Sequence, residues 1–278
     1  MNHIANAIIK SNSVKDTIRE WNSNVSVDLT ESRKEYIVTN DNRVTDILFP
    51  RITDIIGIID KYALRTWAMN TALDYVKANL FDNMKSVQTK SMSEILDETL
   101  EEASHAHEQK RDVAATFGSE AHDILSRIVE TPNMTIASKF QTVVDNWKRW
   151  LTQSKLSICG TEQSLYYYDK NENISFAGTA DLIATDQDGN IVIVDYKTGA
   201  RLYPETCLQL AAYCSAFNFL FEDNFKDKKI RAIAIKLPKT EEDQMDIKEV
   251  ANINFHQEMF MNAYKLKQWQ SNRKKWVK

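Results

Sequence analysis

Between Gly178 and Gly199 the chain reads GTADLIATDQDGNIVIVDYKTG. Two runs of Ile, Val, Leu and Ala flank the polar break DQDGN, the pattern of two buried strands joined by a tight turn. Strands this apolar need cover, so the stretch demands a layered fold in which other elements hide its faces. Yet the same strands carry Asp181 and Asp195, with Lys197 at the end of the second.

Register decides whether the two acids meet. A two-residue turn at Asp188-Gly189 pairs Asp181 with Tyr196 and sends the carboxylates to opposite faces. A three-residue loop, Gln187-Asp188-Gly189, closes as a type I turn followed by a left-handed glycine, a favoured hairpin connection. In that register Asp181 faces Asp195, Ile183 faces Ile193 and Thr179 faces Lys197. Asp195 and Lys197 then share one face, and the opposed carboxylates have Cβ atoms roughly 5 Å apart. Like charges so placed repel. A shared proton, a divalent cation between the oxygens, or an Asp–Lys pair on a half-exposed face would each relieve them. The cation reading has the advantage of explaining Lys197, which would stand beside an anion bound to the same ion.

The texture of the chain changes near Gly160. Before it, ITDIIGIIDKYALRTWAMNTALDYVKANLF is apolar in patches without alternation, with Asp54 near a helix start. KRDVAATFGSEAHDILSRIVE carries Val113, Phe117, Ala121, Ile124 and Ile128 at helical spacing, and SKFQTVVDNWKRWLTQSK is a further helix. After it, TEQSLYYYD, SFAGTADLIAT and NIVIVDYKT are short β-branched or aromatic segments separated by KNEN and DQDGN, hence three strands. Pro204 opens an apolar helix, PETCLQLAAYCSAFNFLF. KIRAIAIKL is a fourth strand, and a helical tail ends the chain. The expected fold is α/β: a central mixed sheet flanked by helices, with an αβββαβ core, a helical N-terminal region and a C-terminal helix. The expected division is 1–110 helical, 111–240 core and 241–278 helical tail.

The remaining composition narrows the setting. No run approaches the ~20 apolar residues of a membrane span, and the N-terminus lacks the marks of a signal or transit peptide. Three cysteines, Cys159, Cys207 and Cys214, show no CxxC spacing, so reduced thiols in the cytoplasm are expected. A net charge of −4 counts mildly against a nucleic-acid partner, although KLKQWQSNRKKWVK at the C-terminus is locally basic with tryptophans interleaved. SEILDETLEEASHAHE is locally acidic.

Asp181 followed on the next strand by Asp195-Tyr196-Lys197 resembles the catalytic core of the PD-(D/E)XK nucleases. Gly118-x-x-x-His122 on the preceding helix, Glu162 on the first strand, Gly178 three before Asp181, and QLAAY from Gln209 to Tyr213 are similar to the RecB-like exonuclease branch, including phage-type and mitochondrial genome maintenance exonucleases. The match runs from about Arg111 to Leu237, and RITDIIGIIDKYALRTWAMNTA resembles the helical segment preceding such cores. The resemblance implies His122, Asp181, Asp195 and the Tyr196 carbonyl as ligands of Mg²⁺ or Mn²⁺, with Lys197 as the catalytic cation. Glu162 would hold water or a second ion. Gln209 and Tyr213 would orient Lys197 or touch the DNA backbone, with Gly118 and Thr198 supporting the site. Three cysteines cannot supply the four thiolates of an iron–sulfur cluster.

The implied activity is metal-dependent hydrolysis of DNA phosphodiesters at single-stranded or duplex ends, in replication, recombination or repair. An endonuclease on the same core and a non-catalytic DNA-end binding protein are the alternatives.

Overall fold

A computed structural model describes residues 14–30, 32, 34–44, 47–59, 62–84 and 90–272. The sequence reading of residues 1–13 and of the basic tail beyond 272 falls outside these. The chain divides into two compact units, Asp60–Glu120 and Met1–Ile59 with Ala121–Lys278.

In chain order the larger unit begins with helix α1, residues 14–24. Strands β1 (Ser26–Leu29), β2 (Glu35–Thr39) and β3 (Leu48–Pro50) then form an antiparallel meander, and the short helix α2 (Ile52–Ile56) follows. The smaller unit holds α3 (Tyr62–Asn83) and the first part of α4 (Met92–Glu130). The larger unit resumes within α4 and continues through α5 (Gln141–Ser154), β4 (Ser157–Asp169), β5 (Ile174–Thr185), β6 (Ile191–Lys197), α6 (Glu205–Phe225), β7 (Ile230–Lys236), β8 (Asp246–Glu249) and α7 (Ile253–Ser271).

The main sheet has the order β4-β5-β6-β7-β8. All its pairings are antiparallel except β6 with β7, where α6 supplies the crossover that parallel neighbours require. This is the expected mixed sheet with flanking helices. Ile191 and Ile193 point to the α6 side, into a core with Leu210, Phe217 and Phe221. Alternation turns Tyr196 the other way, where Trp147 of α5 donates its indole N–H to the tyrosine oxygen at 2.8 Å.

The hairpin closes in the register expected of the three-residue loop, with Ile183 opposite Ile193 and Thr185 opposite Ile191. Gly189 N–H donates to Asp186 O at 2.9 Å, and Gly189 takes φ 76°. Asp186 fastens the turn through the backbone N–H groups of Asp188 and Asn190, at 3.1 and 2.9 Å.

Some features differ from the sequence reading. The N-terminal region contains the β1–β3 meander in addition to helix, and the tail contains β8 before α7. The apolar stretch from Ile52 is two helices: α2 stops at Gly57, and α3 begins at Tyr62. In α4, Val113 is 72% exposed, and the buried positions of its C-terminal turns are Ala121, Leu125 and Ile128. The stripe is not continuous because the first part of α4 buries a separate row, Ile95, Thr99, Ala103 and Ala106. Within that unit Tyr75 donates to Glu102 at 2.9 Å and Asn83 to Thr99 at 3.0 Å.

Candidate active site

The β5–β6 ladder ends at Leu182 opposite Val194. One residue further, where Asp181 would face Asp195, backbone pairing gives way to a side chain: Tyr196 N–H donates to Asp181 Oδ2 at 2.5 Å. Regular pairing of β5 with β6 therefore stops at the two acids.

Asp181 Oδ1 lies 3.1 Å from His122 Nδ1. The imidazole comes from α4, whose buried Ala121 and Leu125 fix that face of the helix inward, and it meets the Tyr196 ring edge-on at 6.1 Å between centroids. Burial, the largest influence, pulls the His122 pKa down. The Asp181 charge and hydrogen bond, helped by Asp195 and Glu162, overcome it and carry the group up to about 9.

Glu162 approaches from β4. A bulge between Ile158 and Gly160 shifts the strand register, and Glu162 itself takes φ 47°, a conformation costing a non-glycine residue about 1–2 kcal/mol. The neighbouring Gln163 holds this irregular stretch through a reciprocal amide pair with Asn22 of α1, each bond 2.9 Å. Burial of its inner side and the Asp181 charge push the Glu162 carboxyl up to about 7. His122, Glu162 and Asp181 each present one ligand atom, all within 4.8 Å of one another. One nitrogen and two carboxylate oxygens at this spacing are a donor set suited to a hard divalent cation.

Asp195 sits beside this group and outside it. It is 1% exposed, and its Oδ2 contacts the Lys197 ammonium but accepts no well-directed hydrogen bond among the described residues. Burial raises its carboxyl above the ordinary range, against the pull of Lys197. For Lys197, burial alone would lower the pKa, but the Asp195 and Asp181 charges raise it, so the side chain stays cationic at neutral pH.

Lys197 Nζ also donates to Gln209 Oε1 at 3.2 Å, and Gln209 Nε2 donates to the Tyr213 hydroxyl at 2.8 Å. The structure thus links Gln209 directly, and Tyr213 through it, to Lys197. Thr198 is buried next in line. Gly118 lies on α4 in the smaller unit.

Gly178 shows why no side chain stands there. A Cβ would lie 2.8 Å from Tyr213 Cε1 and 2.9 Å from Ile52 Cδ1, and both neighbours are buried. Gly178→Ala is expected to destabilise the protein by about 1–3 kcal/mol and lower the melting temperature by roughly 3–10 °C. Calorimetry checks this, and turnover should fall with it because Tyr213 steadies Gln209 and so Lys197.

Sequence reasoning did not find Asn22, Tyr36 or Trp147. A buried polar residue such as Gln163 on an apolar strand was the available signal for the first, since it required a partner.

A model of the PD-(D/E)XK nuclease superfamily matches residues 78–276. The solved structure of the protein SSO0001 is similar over 81% of this chain and 79% of that one, at 11% identity and a TM-score of 0.33. No curated protein matches the sequence.

Proposed function

The chain belongs to the PD-(D/E)XK nuclease superfamily, and on that footing we propose that it is a metal-dependent exonuclease hydrolysing phosphodiester bonds at DNA ends. The observation carrying this reading is the convergence of His122, Glu162 and Asp181 beside an Asp195–Lys197–Gln209 chain.

His122, Asp181 and Asp195 would hold Mg²⁺ or Mn²⁺ together with the Tyr196 carbonyl, and Glu162 is close enough to share in the task. Such an ion, when bound, polarises a phosphate oxygen and lowers the pKa of a ligated water. The protein's own part is positioning. Asp181 fixes the imidazole through Oδ1 and ties β5 to β6 through Oδ2, so both strands present their acids at a constant separation. Lys197, kept cationic by Asp195, would stabilise the negative charge that grows on the phosphate as the bond breaks. Gln209 and Tyr213 hold the ammonium in place. Thr198 would support these residues. No helix among the described residues is long and apolar enough to cross a membrane.

The resemblance to RecB-like exonucleases favours action at ends over internal cutting. The test is incubation of end-labelled linear DNA and covalently closed circular DNA with Mg²⁺ or Mn²⁺, against a chelated control. Linear DNA should be degraded and the circle left intact. Cleavage of the circle would replace the exonuclease by an endonuclease, and metal-independent or absent hydrolysis would remove the nuclease assignment.

A further inference from the structure

Away from the acids, a cavity of about 470 Å³ opens between β2, β3, α2, the start of β5 and α7. All of these elements belong to the larger unit. Ser175, which lines the cavity, stands six residues before Asp181 on β5, about 20 Å along the strand. The cavity is separate from the carboxylate cluster.

Two ammonium groups reach it from different elements: Lys34, just before β2, and Lys267 of α7. Lys34 is exposed and pairs with no carboxylate among the described residues. Lys267 Nζ donates to the backbone carbonyl of Asp54, a neutral acceptor, so two of its three hydrogens are unspent. The Asp54 carboxylate offers little compensation, because its two oxygens already accept from Arg51 at 3.0 and 2.7 Å. Glu35 is the remaining acid of the lining, and positive charge prevails.

The base of the cavity is different in kind. Ile55 and Tyr264 are buried there, with Pro50 and the exposed Leu48 alongside. The Tyr264 hydroxyl is committed: it accepts from Ser175 N–H at 3.1 Å and from Gln268 Nε2 at 3.2 Å. A cationic rim thus stands over an apolar patch.

Lys267 could serve only to cap the α2 carbonyl, but that role leaves Lys34 and the concavity between them unexplained. An inorganic anion would leave most of the volume empty, whereas organic ligands occupy cavities of this size. Uncompensated ammonium groups select a charged oxygen-rich group, and the apolar patch selects a flat or aliphatic body attached to it.

We propose that this cavity binds a nucleotide, its phosphate drawn to Lys34 and Lys267 and its base laid against Leu48, Pro50 and Ile55. The nucleotide is either free or the terminal unit of a strand. The choice of a nucleotide among organic phosphates rests on the nuclease reading, because nucleotides are what such a reaction releases.

The experiment is calorimetric titration of the whole protein in EDTA, which keeps any strand uncut. The probes are deoxyadenosine 5′-monophosphate, deoxyadenosine, inorganic phosphate and a short single strand bearing a 5′-phosphate. The monophosphate should bind at least about tenfold more tightly than deoxyadenosine or phosphate alone. Lys34→Glu should weaken it about tenfold, and the Lys34→Gln/Lys267→Gln double variant about tenfold to a hundredfold. Melting temperatures near wild type exclude loss of fold as the cause, and Lys34, exposed and unpaired, is the safer of the two positions. Equal weakening on the strand and the monophosphate identifies a strand end as occupant, whereas weakening on the monophosphate alone identifies the free product. Wild-type affinity of both variants for the monophosphate overturns the site, as does failure of the wild-type protein to bind it or equal binding of either half alone. Lys34-dependent binding by a protein that cuts no DNA would sink the nuclease reading and leave the cavity assignment standing. Cleavage without nucleotide binding would do the reverse.

Discussion

Lys197→Ala is expected to lower the rate of DNA cleavage by about 10²–10³-fold, the usual effect of removing one preorganised donor from a site of developing charge. The argument starts from the raised pKa of the ammonium, which stays charged because Asp195 and Asp181 face it. A cation with no proton to spare at neutral pH serves by electrostatics, and alanine leaves nothing in its place. Divalent-metal and DNA affinity should change by only a few fold, since the His122, Glu162 and Asp181 ligand atoms do not touch Lys197 and the Asp195 carboxylate that does is kept in the variant. Lys197→Arg should recover little, because a planar guanidinium cannot reproduce the compact contacts to both Asp195 and Gln209. Single-turnover digestion of end-labelled linear DNA measures the effect. Undiminished hydrolysis by the alanine variant would strip Lys197 of its role.

The parts of this site that the sequence makes legible are those held by local rules. The DQDGN turn selects one register through Gly189, and that register turns Asp181 and Asp195 to the same side. Gln209 and Tyr213, four apart on an apolar helix, are two polar groups in need of partners; they bond to each other, and Gln209 also accepts from Lys197. The parts that are not legible depend on distant chain. Strands β1 to β3 are three to five residues long, too short and too exposed for alternation to stand out from noise. Tyr36 reaches Thr179 across 143 positions, and Asn22 reaches Gln163 across 141. No spacing rule links residues so far apart. The break between β5 and β6 is likewise invisible locally, because it arises when the Asp181 side chain, not a backbone carbonyl, takes the Tyr196 N–H.

These long-range ties connect α1 and α2 to the residues around the candidate site. Asn22 secures the irregular stretch on which Glu162 stands, and Ile52 closes over Gly178 against Tyr213. The N-terminal segments thus touch the stretch that carries Glu162 and, through Gly178, the neighbourhood of Tyr213. The strain at Glu162 persists because its surroundings leave the backbone little alternative.

Asp181→Asn should be the most damaging single change to metal binding, because one carboxylate performs three tasks. It offers a ligand oxygen, it holds His122 Nδ1, and it accepts the Tyr196 N–H where the strands part. Loss of the charge should weaken Mn²⁺ affinity by about 100-fold, the upper end for a group that ligates and also orients another ligand, and cleavage should fall at least as far. Calorimetric titration against pH separates the contributions. In the metal-free protein His122 is protonated up to about pH 9, and a ligand imidazole must be neutral. Wild-type affinity should therefore climb from pH 6 towards pH 9 as the proton is lost more easily, with proton release accompanying binding. The asparagine variant lacks the charge that raised the imidazole pKa, so its affinity should level off at a lower pH, closer to the ordinary histidine range. An affinity that is indifferent to pH in the wild-type protein, or unchanged in the variant, would remove His122 and Asp181 from the ion's coordination shell.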